Sequence, residues 1–172
     1  IQAMRRYLQA LRGDEAEAAQ WPICIAALRP LMLKLSAELT QGAIPYNTTP
    51  HHTAEAKKIL GPDKWLAIEQ KVTLETDPAV ARGLGRKELS RYLVLDNYRN
   101  AWLQMGFTEA DLADGGSDAF IDAMVLWGDA ATVKAKLRAH FDAGATHVAI
   151  QPVHAEGDAK AREAILEALA DT

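Results

Sequence analysis

The chain lacks the features that mark several large classes of protein. Its 172 residues include a single cysteine, Cys24, so no internal disulfide forms and a reducing, cytoplasmic setting is the expectation. No apolar stretch approaches the roughly 20 residues of a membrane-spanning helix. Basic runs are missing too, and a formal charge of -4 with a pI near 5.7 argues against nucleic-acid or membrane partners. Neither G-x-G-x-x-G after a strand nor a P-loop lysine motif occurs, which removes the commonest nucleotide fingerprints. There is no Ser-His-Asp or Cys-His arrangement: Cys24 sits in the apolar run Ile23 to Leu28 without a nearby base, as an inert strand residue does. His51 and His52 are adjacent, so on a helix they point about 100° apart rather than along one face, and no metal site is expected. A start methionine and a targeting segment are absent as well, and the chain is expected to begin inside a larger whole.

What is present is ordinary in composition, 49% apolar and 24% charged, and repetitive in grammar. Twice an amphipathic helix stops at Gly-Ala, at Gly42-Ala43 and Gly144-Ala145. A short apolar strand and a polar helix-starting loop follow each time. Glycine suits the left-handed cap after a helix, and strands without polar alternation must be covered on both faces. Four strands are expected, at Ile23 to Leu28, Ala43 to Tyr46, Lys71 to Leu74 and Thr146 to Gln151, parallel and neighbouring in that order. Helices are expected over Ile1 to Arg12, Leu31 to Leu39, Thr49 to Leu60, Ala119 to Trp127, Ala130 to Ala143 and Ala159 to Ala170. The acidic, alanine-rich stretch 13–21 reads as a mobile connection. Ala79 to Gly106 is helical for longer than one crossover needs, either as a lid or as packing. Residues 1–172 read as one partial domain: half of an eight-stranded barrel competes with a small open sheet.

Several residue types carry chemistry in this arrangement. A strand that ends directly in a helix start offers unpaired N–H groups and a partial positive charge to an anion. Leu28, Arg29 and the amides of Leu31 and Met32 form one such place. Thr48, Thr49 and the amides of His51 and His52 form a second, although simple capping explains threonine there equally well. Glu75 and His154 follow strands and are the candidate proton-handling residues, against roles as a helix cap and an exposed loop side chain. Tyr92, Asn97, Tyr98 and Asn100 mix aromatic surface with amide hydrogen bonds, as a substrate pocket does. Tyr46 and Gln151 at strand ends join them, while Trp102 reads as core.

The string Ala26-Ala27-Leu28-Arg29-Pro30-Leu31-Met32-Leu33-Lys34-Leu35, then Gly42-Ala43-Ile44-Pro45-Tyr46 and Thr49-Pro50, resembles the second half of the luciferase-like monooxygenase family. Leu60-Gly61-Pro62, Asn97-Tyr98-Arg99-Asn100, Gly106 to Leu112 and Trp127-Gly128-Asp129-Ala130 strengthen the likeness to its coenzyme F420-dependent branch. The resemblance runs from about Trp21 to the end. It implies the last four βα units of a TIM-type (β/α)8 barrel and a hydride-transferring oxidoreductase that uses F420 or, alternatively, FMN. It implies a small organic substrate, and the Arg29 site lies where the family holds the cofactor phosphate. Relatives often carry glycine there, so Arg29 is a departure. The first four units are not in these residues, so association with that half, or self-association, is expected and the piece alone is expected to be inactive. A non-catalytic half barrel that binds a phosphate ligand is the other class of reading.

Overall fold

The computed structural model describes residues 1–13 and 21–170. Most of the connection expected over 13–21 therefore lies outside the described residues. The elements are α1 (Gln2–Gly13), β1 (Cys24–Ile25), α2 (Pro30–Leu39), β2 (Gly42–Ala43), α3 (Pro50–Leu60), β3 (Trp65–Thr73) and α4 (Pro78–Leu93). They continue with α5 (Asp96–Gln104), α6 (Asp118–Met124), β4 (Val125–Trp127), α7 (Ala130–Asp142), β5 (His147–Pro152) and α8 (Ala159–Leu169). Among the described residues no helix is long and apolar enough to cross a membrane.

Local chemistry sets the helix starts. Pro30, Pro50 and Pro78 stand in the first turns of α2, α3 and α4, where the missing N–H costs nothing. Thr49, Asp77, Ser117, Asp129 and Asp158 each accept a backbone N–H at their helix start, which satisfies donors that the helix cannot.

Every strand pair is parallel, and β3 organises the sheet. Lys71 pairs with Val125 of β4 and with Gln151 of β5, so β4 and β5 lie on opposite edges of β3. The Trp65 N–H donates to Gln41 on the β2 side, whereas the Leu66 carbonyl accepts from Thr146 on the β5 side. β2 and β4 therefore share one edge, at opposite ends. Among the described residues β1 pairs with β2 alone and β5 with β3 alone.

The four expected strands exist, parallel and in the expected order, with three corrections. The third begins at Trp65 rather than Lys71, because the break at Gly61-Pro62 is followed almost at once by extended chain. A fifth strand, β4, occupies Val125–Trp127, where the helical pattern from Ala119 was expected to continue. Gly42 is not a left-handed helix cap but a strand residue: a Cβ there would meet the Trp65 carbonyl oxygen at 2.3 Å, so close backbone approach demands glycine. Gly144, by contrast, has φ 100°, the left-handed stop that the pattern implies.

The sheet has two chemically different faces. Leu66, Ile68 and Val72 join Ile25, Ala43, Leu33, Leu35, Ala56, Leu60, Val133 and Leu137 in the cores beneath the helices. Val148 and Ile150 pack on the same side. Ile23, Ile25, Val148 and Ile150 thus face the helices and not a barrel interior. Alternation along β3 and β5 instead puts Trp65, Ala67, Glu69, Lys71, His147, Ala149 and Gln151 on the other face. The Ala79 to Gly106 excursion builds a separate core, in which buried Trp102 meets Phe120 at 4.9 Å between ring centroids.

Candidate functional site

On that second face, at the C-terminal ends of β2, β3 and β5, a polar cluster is closed over by α4 and α5. Lys71 is its centre, with a side chain 0% exposed. Its ammonium reaches Asn47 Oδ1 at 2.8 Å, Glu69 Oε1 at 2.9 Å and the Tyr46 hydroxyl at 3.0 Å. It also lies 4.1 Å from the Tyr46 ring centroid. Three N–H donors meet three acceptors, so Lys71 is a fully satisfied ammonium. Burial pushes the Glu69 carboxyl up, against the lowering pull of Lys71 and of the Asn47 N–H.

Asn47 makes this geometry possible. Its φ of 56° is left-handed, a conformation that asparagine tolerates better than most residues. The turn aims its side-chain oxygen at Lys71, while its carbonyl accepts from Trp102 Nε1 at 3.1 Å. Helix α5 is thereby tied to the β2 loop.

The Tyr46 hydroxyl meets Gln151 Oε1 at 2.7 Å and the Tyr92 hydroxyl at 2.9 Å. Gln151 Nε2 donates to Glu88 at 3.2 Å, and Glu88 also holds Arg91. Tyr98 packs edge-on against Tyr92, with centroids 5.1 Å apart. Burial raises the hydroxyls of Tyr46 and Tyr98, and that of Tyr92 to about 12. Glu88, Arg91 and His154 line an adjoining groove of about 330 Å³.

Of the pocket residues chosen from sequence, the fold brings together Tyr46, Tyr92, Tyr98 and Gln151. Asn97 and Asn100 are exposed on α5, away from these bonds. Glu75 accepts the N–H groups of Thr76 and Asp77, a local turn, and shares a groove of about 350 Å³ with His154. His154 holds the Ala155 carbonyl at 2.8 Å. Glu69 and Lys71 escaped the sequence reading. The available signal was an acid and a base two residues apart in one extended segment, which places both on one strand face.

The two helix-start sites adjoin. His52 Nε2 bonds the Leu28 carbonyl at 2.7 Å and so ties the first turn of α3 to the end of β1. Because a carbonyl only accepts, Nε2 carries the proton, and buried Nδ1 is left without a partner. The Met32 N–H is spent on the Arg29 carbonyl at 3.0 Å, which leaves Leu31 as the open amide of that pair. The His52 N–H is likewise taken, by Thr49 Oγ1 at 3.2 Å. Arg29 is exposed and makes no side-chain capping bond. In the neighbouring loop Asn47 Nδ2 and Thr48 Oγ1 are buried without partners. A cleft of about 200 Å³ opens between Leu28, His51, His52 and the end of α5.

No protein-family model and no curated protein sequence matches the chain. Solved structures do. Coenzyme F420-dependent tetrahydromethanopterin reductase from Methanopyrus kandleri is 18% identical, with a TM-score of 0.56 over 90% of this chain and 50% of its own. An F420-dependent secondary alcohol dehydrogenase, solved with an F420-acetone adduct, is 12% identical, with a TM-score of 0.60 over 88% and 50%. The oxygenating constituent of 3,6-diketocamphane monooxygenase from Pseudomonas putida, solved with FMN, is 16% identical, with a TM-score of 0.61 over 87% and 47%. The chain spans about half the length of each of these proteins, and what it shares with them is the luciferase-like α/β fold.

Proposed function

We propose that the chain is the part of a TIM-type (β/α)8 barrel that follows its first four βα units. In this reading it belongs to an oxidoreductase that passes hydride between F420 and a small organic substrate. The observation that carries the reading is the extent of the fold likeness: about nine-tenths of this chain overlays half of each F420-dependent protein. A sheet whose β1 and β5 have one described partner each supports it, since closing a barrel pairs every edge. Association with the remaining half, or between copies, completes the barrel.

The residues present suit the cofactor's phosphate. Arg29 supplies an uncommitted guanidinium, Leu31 an open amide, and Thr48 and Asn47 buried donors without partners, the set that an anion at a helix start takes. F420 brings the hydride chemistry; this chain holds its phosphate and shapes the space at the strand ends. FMN is the alternative occupant, since one of the similar structures holds it.

Fluorescence titration with F420 and FMN tests the reading, with F420 expected to bind more tightly. Arg29→Glu is expected to weaken F420 by at least about 1.5 kcal/mol, more than tenfold. The apo melting temperature stays nearly unchanged, because an exposed, unpaired side chain contributes little to the fold. Failure of both cofactors to bind would sink the proposal, and an unchanged Kd in the variant would return Arg29 to the solvated surface.

A further inference from the structure

We propose that Tyr46 is the proton donor of this reduction, positioned and electrostatically supported by Lys71, and that the substrate class is small ketones or aldehydes. The inference rests on the oxidoreductase reading above.

The hydrogen-bond directions follow from the inventory of donors. The three Lys71 N–H groups are all committed, one of them to the Tyr46 oxygen at 3.0 Å. Gln151 donates its amide nitrogen to Glu88, which leaves its oxygen facing Tyr46 at 2.7 Å. The Tyr46 O–H therefore donates to Gln151 Oε1, and the Tyr92 O–H donates to Tyr46. Tyr46 oxygen thus receives two hydrogen bonds and gives one. Both incoming bonds strengthen as its proton leaves, the arrangement that a general acid needs. Burial holds the Tyr46 hydroxyl above its ordinary value, so the proton is in place at neutral pH.

The atom that takes this hydrogen bond is a neutral carbonyl oxygen. Gln151 Oε1 stands where a substrate carbonyl oxygen accepts the proton once the amide swings aside. The contact is reachable, since Tyr46 and Gln151 are themselves only partly buried. In the step, hydride from a reduced deazaflavin forms a C–H bond at the carbonyl carbon, and the C=O π pair moves to oxygen. That oxygen takes the Tyr46 proton, and the phenolate left against Lys71 and Tyr92 is reprotonated from solvent. The groups facing Tyr46 that govern its pH response are Glu69 and Lys71 from β3, Glu88, Arg91 and Tyr92 from α4, and Tyr98 from α5.

The test uses the chain within its completed barrel, loaded with reduced F420, and acetone as the carbonyl probe. Tyr46→Phe is expected to lower kcat at least about 100-fold, with KM and F420 affinity nearly unchanged. Because Lys71→Met alone strands Glu69, the positioning role is read in the Glu69→Gln, Lys71→Met pair, with Lys71→Arg as the conservative rescue. A second readout needs no cofactor: carbon-13 NMR of labelled tyrosine follows Tyr46 ionisation, which is expected to shift upward in the double variant relative to Glu69→Gln alone. Wild-type turnover by Tyr46→Phe, no turnover by a completed barrel that binds reduced F420, or an unmoved Tyr46 resonance each overturns the proposal. Failure to bind either F420 or FMN instead sinks the oxidoreductase reading, and the resonance then decides the Tyr46–Lys71 pairing by itself.

Discussion

Lys71→Met is expected to destabilise the chain by about 3 to 5 kcal/mol, because removing one partner of a buried pair leaves the other charge uncompensated. The stranded charge is Glu69, 9% exposed and already raised by burial. Without Lys71 its carboxyl rises further. A carboxyl raised in the folded state costs nothing when both states are protonated, and its penalty appears as pH climbs through the folded value. The deficit should therefore shrink as pH falls toward 4.5, the unfolded value. Glu69→Gln added to the variant should restore most of the loss at neutral pH, since the amide buries no charge. Urea unfolding across this range checks both expectations. A deficit under about 1 kcal/mol, independent of pH, would mean that the pair is solvated and is not the buried centre described above.

His140 carries the second large effect. Its side chain is fully buried on α7, with Nε2 at 2.9 Å from Gln70 Oε1 and Nδ1 at 2.8 Å from Thr53 Oγ1. Gln70 donates its nitrogen to the Lys71 and Met124 carbonyls, so its oxygen accepts and His140 Nε2 bears the proton, while the Thr53 hydroxyl lies against both His140 Nδ1 and the Thr49 carbonyl, the latter at 3.2 Å. Burial, with a smaller push from His52, moves His140 from 6.5 to about 4. For a base depressed in the folded state, stability is complete above the unfolded value and is lost as pH falls from 6.5 toward 4. The loss amounts to about 3 kcal/mol. His140→Gln should remove about one proton from the pH dependence over that window. A variant whose stability falls with acid as steeply as that of the wild type would show that His140 titrates normally.

The balance between what was readable and what was not follows the range of each interaction. Helix starts rest on contacts two or three residues apart, which is why Thr49 was readable as a cap from its local sequence. Parallel strands were legible in the apolar runs, because burial on both faces leaves a local mark. The end of α6 was not: Val125–Trp127 continues a helical pattern and becomes a strand only because β3 offers an edge to pair with. Gly42 likewise looked like a helix stop, and only the nearness of Trp65 reveals its role.

For the candidate site, sequence by itself determined that Tyr46 and Gln151 stand at strand ends, whereas Lys71 read as the start of a strand that in fact begins at Trp65. Tertiary structure decided that they meet. Tyr46 and Gln151 are 105 positions apart and bond at 2.7 Å, a contact that no local period encodes. The facing of β3 was decided in the same way, since an alternation states that Glu69 and Lys71 share a side but not which side the helices cover. That choice was made by packing. Leu66, Ile68 and Val72 bury against α3 and α7, the larger apolar gain, which turns the ion pair to the opposite face, where Asn47 and Tyr46 complete its hydrogen bonds.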